Sequence, residues 1–221
     1  METFKQSEPI EAVIFDLDGV LVSTDEQHYL SWKRVADEEG IYFDREINRD
    51  CLGLSRMDSL EVLLRNAPRP YSAAEKAKLA KRKNRYFQQL IAQLSASDLP
   101  AGVSRLMTDL KLRGAKLAVA SGSRNAPAIV ARLGLAGMFD TSVSGNDVTR
   151  SKPHPEIFLR AADRLGVAPA RCLVIEDAPA GVEAALRAGM RAIAISAQPV
   201  AGAARTLPSL AHTTADELLS S

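Results

Sequence analysis

A short apolar run that ends in two acids constrains the fold of this chain more than any other stretch. Residues 12–15 read Ala-Val-Ile-Phe, a pattern typical of a strand buried on both faces of a parallel sheet. Asp16 follows directly, and Asp18 comes after one intervening residue. Alternate side chains of an extended segment point the same way, so both carboxylates can face one site. A solvent-exposed turn would also fit, since Asp and the following Gly19 are common turn residues.

Three later loops carry polar side chains that could form one site with Asp16 and Asp18. One apolar run leads into Ser121. A later run leads into Glu176 and Asp177, and the loop between the two runs carries Lys152. Ligands of open α/β sheets bind beyond the carboxyl ends of the strands, where such loops converge. Acids, a hydroxyl and a lysine together predict a magnesium and phosphate site.

The second half of the chain alternates between strand and helix patterns, which predicts an α/β protein with a doubly wound parallel sheet. After the first strand, we expect strands at 116–120, 140–144, 172–175 and 191–195, and a last short strand and helix after 206.

A helical segment interrupts this alternation after the first strand. The sequence Ser23-Thr24-Asp25-Glu26 is a helix-capping signature, and 52–56 resembles a loop between helices. Residues 73–94 are predicted to form one long lysine-rich helix. About 70 residues of helix exceed what one crossover between parallel strands requires. We therefore predict a core domain at 1–23 and 95–221 and an inserted α-helical cap at 24–94.

Composition excludes several classes of protein. The 221 residues include 28 basic and 27 acidic side chains, a balance that argues against an electrostatic nucleic-acid binder. The two cysteines, Cys51 and Cys172, have neither metal-site spacing nor a disulfide framework. No signal-peptide pattern or membrane-length apolar run is visible. We expect a cytoplasmic monomer without nucleic-acid or membrane partners.

Four segments, taken in order, resemble the four motifs of the haloacid dehalogenase superfamily of phosphotransferases, which has a Rossmann-like core. They are Phe15-Asp16-Leu17-Asp18-Gly19-Val20, Ser121, Lys152 and Glu176-Asp177. The similarity covers nearly the whole chain and fades after about residue 196. Within the superfamily, the cap is similar to that of the sugar phosphomutases. The stretches that carry this second similarity are 24–28 with Trp32, 53–59, 80–84 and 120–127.

The motif residues suit phosphoryl transfer, which needs a nucleophile, charge neutralisation and proton management. Asp16 is the candidate nucleophile, because a carboxylate can form an acyl-phosphate. Asp18 is the candidate general acid and base. Ser121 and Lys152 are expected to hold the phosphoryl oxygens. The expected cofactor is Mg²⁺, bound by oxygen ligands of Asp16, the Asp18 backbone carbonyl, Asp177 and Glu176.

The resemblance also implies a set of residues that contact the substrate. From the cap these are Thr24, His28, Trp32, Gly53, Leu54, Ser55, Arg56, Ser59 and Lys83; from the core they are Asp18, Ser121, Gly122, Ser123, Arg124, Asn125 and Lys152. Structural interpretations remain open for most of them. Thr24 can be a helix cap, and Trp32 a core residue. Lys83 lies in a charge run, which is usually a solvated helix face.

The sequence departs from the family pattern at Gly122 and Arg124, which stand where the phosphomutases have alanine and lysine. The arginine keeps the charge but changes its reach, so the sugar contacts at this loop are open.

The resemblance implies a mutase cycle. Phosphorylated Asp16 gives its phosphoryl group to the 6-hydroxyl of β-D-glucose 1-phosphate and forms β-D-glucose 1,6-bisphosphate. This intermediate turns over, returns the 1-phosphoryl group to Asp16 and leaves glucose 6-phosphate. Closure of the cap, by bending near Ser23-Thr24 and Leu94-Ser95, is expected to exclude water. Two alternatives remain: a phosphatase for sugar phosphates or other small phosphoesters, and a non-catalytic sugar-phosphate binder.

Overall fold

The computed structural model describes residues 8–51 and 54–220. These residues separate into two compact units, and the divisions fall after Val22 and after Leu94. One unit carries the sheet with its flanking helices, and the other is helical. The predicted substrate contact at Gly53 lies outside the described residues.

In the described part of the chain, the sheet has six strands, all paired in parallel. They are β1 (Ala12–Phe15), β2 (Lys116–Ala120), β3 (Thr141–Val143), β4 (Cys172–Glu176), β5 (Arg191–Ile195) and β6 (Arg205–Leu207). Their order across the sheet is β3-β2-β1-β4-β5-β6. The order reverses between β1 and β4, which makes their carboxyl ends the expected ligand site. The predicted fold class is confirmed.

The helices of the described ranges are α1 (Asp25–Glu39), α2 (Arg45–Arg49), α3 (Arg56–Leu64), α4 (Ala73–Ile91), α5 (Val103–Leu112), α6 (Ala126–Arg132), α7 (Glu156–Leu165), α8 (Pro179–Arg187) and α9 (Ala215–Leu219). None of these helices is long and apolar enough to cross a bilayer.

The sheet is buried on both faces, as its apolar strands require. All four residues of β1 are fully buried, and so is β4 apart from trace exposure at its last residue. On one face, Ile14 and Val174 belong to a core cluster with Phe158 of α7 and Val182 of α8. Burial of each large apolar side chain contributes about 2 kcal/mol. The rigid centre of the sheet therefore ends directly at the two acidic segments.

The helical unit has an apolar core of its own. Trp32 and Val35 of α1 cluster with Leu79 and Tyr86 of α4. Helix α4 begins at a complete capping box formed by Ser72, and it ends at Ile91, three residues before the predicted end.

In this unit one local prediction is wrong, and a second is confirmed in position but lacks the capping hydrogen bond. Arg56 was expected in a loop but is the first residue of α3, because the Ser55 hydroxyl accepts a hydrogen bond from the Asp58 N–H and starts the helix there. Thr24 occupies the N-cap position of α1, as the capping signature predicts, but without the side-chain cap hydrogen bond. Its ψ of 16° is far from the extended N-cap conformation in which such a bond forms.

Candidate active site

Strands β1 and β4 bring two acids to one edge of the sheet. Phe15 lies opposite Ile175 in the parallel ladder, and the Asp16 N–H donates to the Ile175 carbonyl at 2.9 Å. Asp16 and Glu176 therefore leave the sheet side by side at its carboxyl edge. Both are buried, with 7% and 1% of their surfaces exposed. Buried carboxylates require partners, and the structure supplies them.

Lys152 joins these two acids. It lies in the loop between β3 and α7, and its Nζ is 2.5 Å from Asp16 Oδ1 and also hydrogen-bonded to Glu176 Oε1. The ammonium group lies 4.9 Å from the centre of the Phe158 ring. The other oxygen of Glu176 accepts hydrogen bonds from the N–H groups of Asp177 and Ala178, at 2.8 and 2.9 Å. Glu176 is thus fixed at both oxygens and holds Lys152 against Asp16.

The electrostatics of this cluster favour an additional cation. Burial raises the pKa of Asp16 to about 8, although the charge of Lys152 opposes the shift. Burial and the neighbouring Glu176 raise the pKa of Asp177 to about 7. Burial alone would lower the pKa of the Lys152 ammonium, but the charges of Asp16 and Glu176 outweigh it and the pKa is raised. Three crowded carboxylates with one ammonium leave negative charge in excess.

The carboxylates of Asp16, Glu176 and Asp177 can also serve as metal ligands. One oxygen of each lies within 4.8 Å of the others. An all-oxygen donor set of this size and charge fits a hard divalent cation. Asp18 is predicted to provide its backbone carbonyl as a further metal ligand, and this stays a prediction.

The segment after Asp16 turns back on itself. Leu17 is fully buried, whereas Asp18 is half-buried. The Gly19 N–H donates to the Val22 carbonyl at 2.8 Å and closes the turn. Gly19 has a φ of 78°, and a Cβ there would lie 2.1 Å from Asp177 Oδ2. The charge of Asp18 contributes to the raised pKa of Asp16, so the two aspartates are electrostatic neighbours.

The loop after β2 carries the predicted phosphate-contacting residues of the core. The Ser121 N–H donates to the Val143 carbonyl at 3.0 Å, and the Ser121 hydroxyl accepts from the Ser123 N–H at 3.1 Å. Ser121 and Asn125 are buried, while Gly122 and Arg124 are exposed. Asn125 takes the N-cap position of α6 without a side-chain cap bond.

Gly181, in the first turn of α8, is a site residue that the sequence did not predict. A Cβ at this position would lie 1.8 Å from Glu176 Oε1, the oxygen that binds Lys152. The signal was available, because glycine lowers helix stability and its use inside a helix indicates a packing requirement.

We expect Gly181→Ala to displace the Glu176 carboxylate, lower the free energy of unfolding by about 2 kcal/mol and reduce turnover about 100-fold or more. Urea unfolding and steady-state kinetics measure both effects. Gly137→Ala is the matched control, since a Cβ there meets no atom within 4 Å. Equal behaviour of the two variants would contradict a role for Gly181 in placing Glu176.

In the helical unit, His28 and Lys83 form a contact that the charge-run interpretation did not anticipate. Lys83 is buried, with 2% of its surface exposed, and its Nζ lies 2.7 Å from His28 Nδ1. An ammonium group can only donate, so Nδ1 accepts and the ring proton lies on Nε2. The His28 ring lies 4.2 Å from that of Phe87, and Trp32 is buried in the core of this unit.

The His28 imidazole is held in its neutral form. Burial lowers its pKa to about 3, and the charges of Lys83 and Arg56 add to the effect. A histidine that has these neighbours does not titrate near neutrality, although free histidine does.

The remaining predicted cap residues lie around the start of α3. Leu54 and Ser55 are exposed, and Arg56 is half-buried. The buried Ser59 hydroxyl donates to the Ser55 carbonyl at 3.0 Å, one turn earlier in the chain. The structure brings His28 and Lys83 into direct contact and places the charge of Arg56 close to His28.

The low pKa of His28 predicts acid destabilisation. Between pH 6.5 and about 3 the unfolded chain binds a proton at His28 that the folded protein does not, so stability falls as the pH is lowered. We expect protonation of His28 in the unfolded chain to lower the free energy of unfolding by about 2 kcal/mol when the pH falls from 7 to 5. Urea unfolding of wild type and His28→Gln at both pH values measures it. The same pH dependence in both proteins would contradict a neutral His28 imidazole in the folded protein.

Comparison with known proteins defines the class. Residues 10–189 match the family model described as a haloacid dehalogenase-like hydrolase. The chain belongs to this family.

Three known proteins are similar to the chain along most of its length. The chain is 46% identical over 197 residues to "Beta-phosphoglucomutase" of Bacillus subtilis (strain 168). The match covers 88% of this chain and 87% of that protein. It is 33% identical over 187 residues to "Phosphorylated carbohydrates phosphatase" of Thermotoga maritima, over 83% of this chain and 84% of the relative. The crystal structure of β-phosphoglucomutase from Clostridium difficile superimposes with a TM-score of 0.84 and 35% identity, over 94% and 95% of the two chains.

Proposed function

We propose that the chain has β-phosphoglucomutase activity and interconverts β-D-glucose 1-phosphate and glucose 6-phosphate. An aspartyl-phosphate and β-D-glucose 1,6-bisphosphate are the intermediates. The observation that carries this proposal is the similarity to the Bacillus subtilis enzyme along nearly the full length of both chains. The contacts of Asp16 with Lys152 at the edge of the sheet support it, since they suit a carboxylate that accepts a phosphoryl group.

In the proposed first step, an oxygen of Asp16 attacks phosphorus, and the bond from phosphorus to the sugar oxygen breaks. Asp18 protonates that leaving oxygen. In the second step, Asp18 removes the proton of the attacking sugar hydroxyl, whose oxygen forms a new bond to phosphorus as the bond between phosphorus and Asp16 breaks. Lys152 neutralises charge on the phosphoryl oxygens in both steps. Ser121 binds the same oxygens through its hydroxyl.

We propose Mg²⁺ as the divalent cation, with Asp16, Asp177, Glu176 and the backbone carbonyl of Asp18 as ligands. When bound, the ion would reduce the repulsion between a phosphoryl group and the carboxylates. The excess of negative charge in the Asp16, Glu176 and Asp177 cluster supports this assignment.

The cap is proposed to provide the second anion-binding group of a bisphosphorylated substrate. Arg56 can bind phosphate through two parallel hydrogen bonds, and Lys83 adds a buried positive charge. The neutral His28 orients Lys83 by accepting its hydrogen bond. Substrate contacts by Thr24, Trp32, Leu54, Ser55, Ser59, Gly122, Ser123, Arg124 and Asn125 stay predictions.

A coupled assay tests the activity. Wild-type protein with Mg²⁺ and a trace of β-D-glucose 1,6-bisphosphate should convert β-D-glucose 1-phosphate to glucose 6-phosphate at least about ten times faster than it releases phosphate. Phosphate release without isomerisation would favour the alternative, a sugar-phosphate phosphatase, for which the Thermotoga maritima relative provides a precedent. Inactivity towards all phosphoesters would favour a non-catalytic sugar-phosphate binder.

We also propose that the protein acts as a monomer, because one chain carries Asp16, Lys152, Glu176 and Asp177 in mutual contact range. Light scattering coupled to size exclusion tests this. A cytoplasmic location remains a prediction.

A further inference from the structure

The turn between β3 and α7 contacts the loop after β2 at three points. The Gly145 N–H donates to the Ser123 carbonyl at 3.3 Å. The side-chain amide of Asn146 donates from Nδ2 to the Arg124 carbonyl at 3.0 Å. Gly145 also packs against the Gly122 carbonyl so closely that a Cβ on Gly145 would lie 2.1 Å from the Gly122 oxygen.

The turn has a rigid support of its own. One carboxylate oxygen of Asp147 accepts from both the N–H and the hydroxyl of Ser144, at 2.8 and 2.9 Å. The other accepts from Arg164 of α7 at 2.6 Å, and Arg164 also donates to the Ser142 carbonyl. The Asn146 N–H donates to the Ser144 hydroxyl at 3.3 Å. The Asn146 amide is therefore presented from a turn that is fixed to both β3 and α7.

Arg124 lies in the loop that receives these contacts. Its side chain is exposed, and it lies three residues beyond Ser121 in the loop that leads to α6. A guanidinium binds a phosphate through two parallel bonds only when its plane is correctly placed. The hydrogen bond from Asn146 fixes the peptide unit from which that side chain extends.

We propose that Asn146 is a positioning residue: it fixes the backbone at Arg124 so that the guanidinium meets an anionic group of the sugar-phosphate substrate. This proposal rests on the function proposed above. According to this proposal, the turn between β3 and α7 affects substrate affinity and not the phosphoryl-transfer step.

A double-mutant cycle tests the proposal. Asn146→Ala should raise the KM for β-D-glucose 1-phosphate about fivefold and change kcat less than twofold. In an Arg124→Ala background, the same change should leave KM unaltered, because the group that Asn146 positions has been removed. An equal rise of KM in both backgrounds, or no rise in the wild-type background, would overturn the proposal.

A second readout is independent of activity. Hydrogen exchange of the amides of residues 122–126 should be faster in Asn146→Ala than in wild type. Asn66→Ala is the matched control, since the Asn66 side chain donates to a backbone carbonyl, that of Tyr42, at 3.4 Å in the helical unit. Unchanged exchange in Asn146→Ala would count against the positioning role.

A pair of glycine variants provides a further test. Gly145→Ala should raise KM as Asn146→Ala does, because the new Cβ drives the two loops apart. Gly137→Ala should not, because a Cβ on Gly137 meets nothing within 4 Å. If wild type releases phosphate instead of isomerising sugar phosphate, the cycle is measured on the KM of that reaction. The proposed function then fails while the role of Asn146 is still decided, and hydrogen exchange decides it if the protein is inactive.

Discussion

Asp16→Asn is expected to lose activity by about 10⁴-fold or more while the protein stays folded. The amide has the shape of the carboxylate but cannot form an acyl-phosphate, so both half-reactions stop. Burial raises the pKa of Asp16 to about 8, which means that the ionised side chain is costly in the folded protein. We therefore expect thermal unfolding of the variant at a temperature equal to or above that of wild type.

The control for this variant is Asp216→Asn on α9. Asp216 also pairs with a cation, Arg113 at 2.8 Å, but its side chain is 77% exposed. An exposed pair contributes little, so activity and stability should both change marginally. An Asp16→Asn protein with more than about a hundredth of wild-type activity would contradict the assignment of Asp16 as the nucleophile.

Lys152→Met is expected to reduce both activity and stability. It leaves the carboxylates of Asp16 and Glu176 buried side by side without the ammonium that joins them. Removing one partner of a buried ion pair typically costs about 3–5 kcal/mol. Turnover should fall about 1,000-fold or more, because charge on the phosphoryl oxygens loses its neutralising partner.

Urea unfolding and kinetics measure these losses, with Lys111→Met as the matched control. Lys111 forms a more exposed ion pair with Asp140 at 3.4 Å. The stability deficit of Lys152→Met should be smaller at pH 5 than at pH 8, because protonation of one carboxylate relieves the repulsion between the two. A loss no larger than that of Lys111→Met would show that Lys152 does not hold the acidic site together.

The sheet was predictable because each of its central strands needs only a short run of apolar residues. A strand that is buried on both faces must be apolar throughout, and residues 12–15 and 172–175 meet that requirement. The acids that follow each run fall at the carboxyl edge of a parallel sheet. Neighbouring strands then bring Asp16 and Glu176 together, although neither run alone specifies the contact.

The burial of Lys83 was harder to predict, because local composition and helical periodicity point in opposite directions. Lysines and arginines surround it in sequence, which favours a solvated face. Its spacing to Leu79, Tyr86 and Phe87 is instead that of one helical stripe, and all three of these residues are buried. The periodicity was the more reliable signal, since it is the helix geometry that decides which side chains meet the core.

Contacts between distant loops could not be predicted from the sequence. Asn146 binds the carbonyl of Arg124 because β2 and β3, the strands that precede their loops, pair in the sheet. At Arg56 the local signal did exist, since a serine three residues before an acid is a helix-start pattern. This pattern was outweighed by Gly53, because a glycine at that point favours a longer loop.

The most direct test of the central claim is chemical identification of the residue that accepts the phosphoryl group. Wild-type protein is incubated with Mg²⁺ and β-D-glucose 1,6-bisphosphate, quenched, and reduced with borohydride, which converts an aspartyl-phosphate to homoserine. Peptide mass spectrometry should find homoserine at position 16 and unmodified aspartate at position 18. Homoserine at position 18, or a stable phosphoryl group on any other residue with position 16 unmodified, would contradict the account.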